Sequence, residues 1–225
     1  MIADYRWKPG VRLNVMKMAR ELRVSRTPVW EAVRRLEQEG ILRSIPNRGV
    51  FMAETSLERS LEVLQARGAL DILAVRLASA RMTPRLIDRL ARCLPDQLRA
   101  IENEDTVSYS SADFRFHRLI YQASGNSYIV DLFESITLQM RPTPLKIMPA
   151  LASLYRAHQE ILQGLADGNA DEAENAMARH TKIVLDLTEE QLGFSLERKE
   201  LVRDARADSG ILSRSAKPSR NKRLA

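Results

Sequence analysis

The sequence predicts a mainly α-helical protein in two parts. A small unit of helix, turn, helix and β-hairpin spans residues 1–54, and an all-α antiparallel helical bundle spans residues 55–198. Three observations lead there. Residues 24–40, VSRTPVWEAVRRLEQEG, carry apolar side chains at helical spacing between a turn and a glycine stop. Pro46-Asn47-Arg48-Gly49 joins two short β-compatible runs. From Thr55 onward the pattern is helical throughout, and no alternating strand pattern competes.

In order, residues 13–22 (LNVMKMAREL) place Val15, Met18, Ala19 and Leu22 on one side of a short helix. Arg23-Val24-Ser25 then has about the length of the turn in a helix-turn-helix. In the next helix Ser25 or Thr27 caps the start, Pro28 is tolerated in a first turn whose N–H groups lack internal partners, and Gly40 suits a left-handed stop. Val29, Ala32, Val33 and Leu36 form its apolar face, while Arg26, Thr27, Trp30, Arg34 and Arg35 project elsewhere. One face packs, and the other is free to read something. Residues 41–44 and 50–53 form a hairpin wing behind it.

Thr55-Ser56-Leu57-Glu58 has the T-x-x-E form of a capping box and opens a long amphipathic helix to about residue 82. Further helices are expected over 83–102, opened by Thr83-Pro84, and from Asp105-Thr106 to about Gly125-Asn126. Three more should cover 127–140, 150–166 and 170–196, with Arg141-Pro142-Thr143-Pro144 and Asp167-Gly168-Asn169 as breaks. That makes a bundle of about six helices. Beyond about residue 198 the apolar periodicity fades, and 199–225 is expected to be a disordered basic tail.

The net charge of +6 is unevenly spread. Residues 1–52 hold 11 Lys/Arg against 5 Asp/Glu, residues 53–188 hold 15 against 18, and residues 189–225 hold 9 against 6. A basic excess on the first unit suits phosphate binding, where counterion release supplies non-specific affinity for DNA. No stretch approaches the roughly eighteen apolar residues of a membrane span, and no apolar signal core opens the chain. A soluble cytoplasmic protein is expected. The single Cys93 cannot form an intrachain disulfide, which agrees with a reducing compartment.

The three histidines each fall on an apolar helical face. His158 lies on the stripe of Leu154, Ile161 and Leu165, and His180 on that of Ala173, Met177, Val184 and Leu187. His117 shares a face with Ile120 and, one turn back, Asp113. Three imidazoles and a carboxylate turned into a bundle core can form a divalent-metal site, and such a ligand set suits Zn, Ni, Fe or Mn. Core histidines satisfied by hydrogen bonds are the equally open alternative.

VSRTPVWEAVRRLEQEGIL followed by PNRGVF resembles the winged helix-turn-helix signature of GntR-family bacterial transcription regulators. The resemblance implies that Arg26 contacts bases with Thr27 and Arg34 near it, and that Arg48 and Gly49 of the wing turn lie toward the minor groove. Trp30 stands where relatives usually carry a phosphate-contacting arginine. The chain begins MIADYRWKPG where relatives usually have a longer first helix, which leaves two readings open, a truncated N-terminus or a start assigned to the wrong residue.

ADFRFHRLIYQASGN, RAHQEIL and DGNADEAENAMARH resemble the three signature stretches of the FCD effector domain found in the FadR-type subgroup. By that resemblance Asp113, His117, His158 and His180 bind the metal, and a small carboxylate effector sits at or beside it. Arg67, in LQARGALD, matches an inward arginine of the relatives, with Asp71 in place of their glutamate. Arg67 is therefore a candidate to pair with the effector, the alternative being a salt bridge to Asp71 or Glu62. Arg141, Tyr121 and Asn126 are further candidates, although Tyr121 can equally pack and Asn126 equally cap.

The expected function is a ligand-responsive DNA-binding transcription regulator, a homodimeric repressor reading a pseudo-palindromic operator and sensing a small organic acid through a metal-containing bundle. No residue is assigned a catalytic role. The alternative is a metal-dependent hydrolase or lyase with an accessory N-terminal module, but no separate catalytic carboxylate or nucleophile has diagnostic spacing. A third reading is an architectural DNA-binding protein with purely structural histidines.

Overall fold

Asn14 sets where the first helix begins. Its side-chain oxygen accepts the Lys17 amide at 2.9 Å, so α1 is Val15–Leu22, and Arg23 stops it with φ of 54°. Leu13, expected inside that helix, instead belongs with Arg12 to a short strand, β1. α2 is Arg26–Gln38; Ser25 occupies its cap position in extended backbone without a side-chain cap bond. β2, Leu42–Ile45, and β3, Gly49–Met52, form the wing, and β1 pairs with β3 to give an antiparallel sheet of order β1-β3-β2. In the connecting turn the Arg48 amide donates to the Ile45 carbonyl at 3.0 Å, and Asn47 has φ of 60°. Proline at the first central position and a positive φ at the second make the type II pattern.

The structure, a computed structural model, describes residues 10–140 and 146–215, with side chains described as far as residue 194. Val15, Ala19, Val29, Val33, Ile41, Leu42, Val50 and Met52 form the core of the N-terminal unit, with Met18 and Leu36 packed against it. Ala32 and Leu22, expected on the packed faces, are exposed. Two short helices crossing over a three-stranded sheet bury a narrower stripe than periodicity assigns.

The second part starts at α3, Leu57–Ser79, capped by Ser56 rather than Thr55: the Ser56 hydroxyl accepts the Arg59 amide at 3.2 Å. The helix expected over 83–102 is two, α4 (Pro84–Ala91) and α5 (Cys93–Glu102). Pro95 explains the break, because it has no N–H for the Ala91 carbonyl and its ring crowds that oxygen. α6, Thr106–Ala123, is capped by Asp105, which accepts the Val107 and Ser108 amides at 3.1 and 3.0 Å. α7 (Ser127–Met140), a 3-10 turn at Met148–Ala150, α8 (Leu151–Ala166) and α9 (Ala170–Ser215) complete the described residues.

α9 continues as helix through residues 199–215, where a disordered tail was expected to begin; residues 216–225 lie outside the described residues. No proline interrupts 170–215, so local propensity sustains the helix where the apolar pattern has faded. α3 and α8 pack along α9, and α6 bridges α3 and α5. Phe116, Ile120, Tyr121, Phe133, Ile161 and Met177 are wholly buried between them. Leu138, near the end of α7, packs against the core of the N-terminal unit.

Candidate functional site

Three helices bring the sequence-predicted ligands together. α6 supplies Asp113 and His117 one turn apart, α8 supplies His158 and α9 His180, and one donor atom from each lies within 4.8 Å of the other three. His158 Nε2 is 3.3 Å from His117 Nε2 and 3.4 Å from Asp113 Oδ1, and His117 Nε2 is 3.7 Å from Asp113 Oδ1. Around one ion with bonds of ~2.0–2.2 Å, neighbouring ligand atoms stand roughly 3–3.6 Å apart.

Two residues not foreseen at the metal site stand against these ligands, Gln97 by a hydrogen bond and Asp71 by a longer electrostatic contact. Gln97 of α5 places Oε1 2.8 Å from His158 Nδ1. Nδ1–H donating there leaves the Nε2 lone pair facing the other ligands. Asp71 of α3 sets Oδ1 3.5 Å from His117 Nδ1. A signal for both was present: Gln97 interrupts the stripe of Leu90, Cys93 and Ala100, and Asp71 that of Leu64, Gly68, Val75 and Ala78. A polar residue on a buried face needs a partner.

Burial first, then the adjacent imidazoles and Arg67, push His158 well below its ordinary 6.5. Burial and then His117 do the same for His180, with Asp71 opposing. Both rings are therefore neutral at pH 7, as metal ligands must be. Burial alone would raise the Asp71 carboxyl, but the Arg67 guanidinium and His117 outweigh it and hold it well below the usual carboxylate range. Both ring nitrogens of His180 are buried without a hydrogen-bond partner. A buried imidazole left in that state is costly, and a cation at the convergence of the four donors answers it. The residues fit a divalent ion.

A cavity of about 630 Å³ opens beside the cluster, with Arg67, Asp71, Asp113 and His180 in its wall. Arg67 sets Nε 3.3 Å from Asp71 and Nη2 3.9 Å from Asp113, and its guanidinium lies 5.5 Å over the Phe133 ring. Of the two carboxylates weighed for it, Asp71 is the partner; Glu62 instead pairs with Arg59 at 2.7 Å.

Two of the other effector candidates, Tyr121 and Asn126, do not join this wall. Tyr121 is wholly buried and stacks on Phe133 with ring centroids 4.3 Å apart. Burial and the nearby Asp71 carboxylate raise its hydroxyl above the ordinary phenol range. Asn126 caps α7, accepting the Tyr128 and Ile129 amides at 3.1 and 3.3 Å. Both serve as packing and cap. Arg141 lies outside the described residues.

In the N-terminal unit Arg26, Thr27, Trp30 and Arg34 are all exposed on α2, and Arg48 is exposed at the wing turn. Arg35 is exposed as well and pairs with Glu39 at 3.3 Å. Gly49 has φ of 107°, and a Cβ there would stand 3.0 Å from Arg12 Nε. Glycine thus lets the Arg12 side chain lie against the wing. The strand that carries Arg12 was not foreseen from the sequence. The surface offers exposed cations on one helix and on the wing, the elements that enter the grooves when a winged helix binds a duplex.

The family model described as bacterial regulatory proteins, gntR family, matches residues 1–52, and that of the FCD domain matches residues 62–182. The Nta operon transcriptional regulator of Aminobacter aminovorans is 29% identical over 185 residues, covering 80% of this chain and 85% of that protein. The HTH-type transcriptional regulator LutR of Bacillus subtilis is 28% identical over 211 residues, covering 83% of this chain and 95% of that protein. Among solved structures, E. coli McbR/YncC matches with a TM-score of 0.74 at 22% identity, covering 85% of this chain and 92% of that one, a likeness of fold. Among the described residues no helix is long and apolar enough to cross a membrane. A winged helix with an exposed basic face and a helical domain of FCD type, on one chain, make this protein a member of the GntR family of DNA-binding bacterial transcription regulators.

Proposed function

We propose that this regulator senses a small organic acid through a divalent metal held by Asp113, His117, His158 and His180, and that it represses its operator as a homodimer until the acid binds. The observation that carries the reading is the convergence of those four donors within 4.8 Å beside a cavity walled in part by Arg67. A bound ion would supply the positive charge that a carboxylate coordinates. Gln97 holds the His158 imidazole in the ligating orientation, the Asp71 carboxylate faces the His117 ring, and Arg67 offers a second cation to the acid's carboxylate. As a dimer, the chain would set two α2 helices about one DNA turn apart, ~34 Å, on a pseudo-palindromic site.

An effector changes DNA affinity only by binding the DNA-competent and incompetent arrangements unequally. α7 offers a route for that difference. Thr137 and Met140 line the cavity, while Leu138 between them packs against the winged-helix core.

The test is metal analysis of gently purified protein alongside the double variant His158→Ala/His180→Ala. The variant should lose the metal yet still retard operator duplex recovered by selection from random sequences. Full metal occupancy in the double variant would remove the site assignment.

A further inference from the structure

The cavity wall is of two kinds. Arg67, Asp71, Asp113 and His180 make a polar patch, and most of the rest is apolar, including Val107, Ile147, Met148, Leu154 and Val184. Helix geometry says how far the apolar part reaches. Leu154 is four residues from His158 on α8, Val184 four residues from His180 on α9, and Val107 six residues from Asp113 on α6. At a rise of ~1.5 Å per residue these side chains line a path roughly 6 to 9 Å long leading away from the metal donors. A cavity of about 630 Å³ falls among pockets that enclose drug-sized molecules, so a three- or four-carbon acid would leave most of it to water held against hydrocarbon.

The charges favour one carboxylate. A divalent ion and Arg67 set against Asp71 and Asp113 leave a single positive charge in excess. The other basic side chain of the wall among the described residues, Lys146, is exposed, so water already solvates it and a second carboxylate gains little there. Two buried hydroxyls of the wall, Tyr109 Oη and Thr137 Oγ1, have no hydrogen-bond partner and can donate to a ligand oxygen.

Resting on the metal-centred acid reading above, we infer that the effector is a monocarboxylate with an apolar body, a medium-chain or aryl-substituted acid, rather than a short hydroxy acid or a dicarboxylate. Its carboxylate takes the polar patch, and its hydrocarbon follows Leu154, Val184 and Val107 outward.

Metal-replete full-length protein should be titrated calorimetrically with octanoate, phenylacetate, lactate and succinate. Each buried methylene strengthens binding roughly fourfold, so octanoate should exceed lactate and succinate by at least about tenfold even if only part of its chain is buried. Val107 and Met148 are 48% and 39% exposed, so Val107→Asp and Met148→Asp should fold. Each should weaken octanoate and phenylacetate binding about tenfold while leaving metal content and lactate binding unchanged. Lactate or succinate binding as tightly as octanoate overturns the inference but leaves the metal-and-acid reading standing. Octanoate affinity unchanged by Val107→Asp and Met148→Asp also overturns it. If no acid binds the metal-replete protein, or octanoate binds equally after metal removal, both fall.

Discussion

Replacing Gln97 with leucine isolates what one orienting hydrogen bond contributes to the metal centre. Gln97 and His158 are both wholly buried, and the 2.8 Å contact between Gln97 Oε1 and His158 Nδ1 selects the ring tautomer. Leucine fills a similar volume but accepts nothing. The Nδ1–H is then either buried without a partner, at about 1–3 kcal/mol, or the proton moves to Nε2, the atom facing His117 and Asp113 at 3.3 and 3.4 Å. By either route the metal should bind roughly 10 to 100 times more weakly, or about 1.4–2.7 kcal/mol. Competition against a chromophoric chelator at pH 7.5 reads this directly. Leucine removes the unpartnered Gln97 Nε2 as well as the bond to His158, and these opposing effects should keep the metal-free variant within about 1–2 kcal/mol of the parent in urea unfolding. An affinity within twofold of the parent, in a folded variant, would refute the orienting role.

The metal-free protein should lose stability as pH falls below about 6.5. His158 and His180 are held neutral in the fold, so the unfolded chain takes up protons there that the native state does not, at up to ~1.4 kcal/mol per pH unit for each ring. A Tm that stays level between pH 7 and 5.5 would contradict this. Arg26→Ala should weaken specific operator binding by about 1–3 kcal/mol with little change on random duplex, whereas Arg48→Ala should weaken both and reduce the salt slope by about one. Electrophoretic mobility shifts across a salt series separate the two. Leu138→Ala should leave metal and acid binding intact while shrinking the acid-induced change in operator affinity; an unchanged response would argue against α7 as the link.

Much of the fold was legible in local signals. Asp105 before Thr106 and Thr83 before Pro84 mark helix starts by side-chain chemistry and cap their helices as expected, while Asn126, weighed as a pocket residue or a cap, caps α7. Pro95 stands in the sequence as a helix breaker too, yet one helix was expected over 83–102 where two stand. β1 was hidden because two residues are too few for a pattern; only pairing with β3 makes Arg12-Leu13 a strand.

Local pattern alone puts three imidazoles and one carboxylate on inward helical faces, because helical period fixes which side chains share a side. It also determined that cations crowd α2 and the wing turn, because spacing and composition are one-dimensional facts. Whether those four donors meet, which polar groups orient them, and that Tyr121 and Asn126 stand apart from the cavity are settled by helices from distant parts of the chain crossing one another. Gln97 is 61 residues from His158, and no local rule brings its carbonyl oxygen within 2.8 Å of that ring.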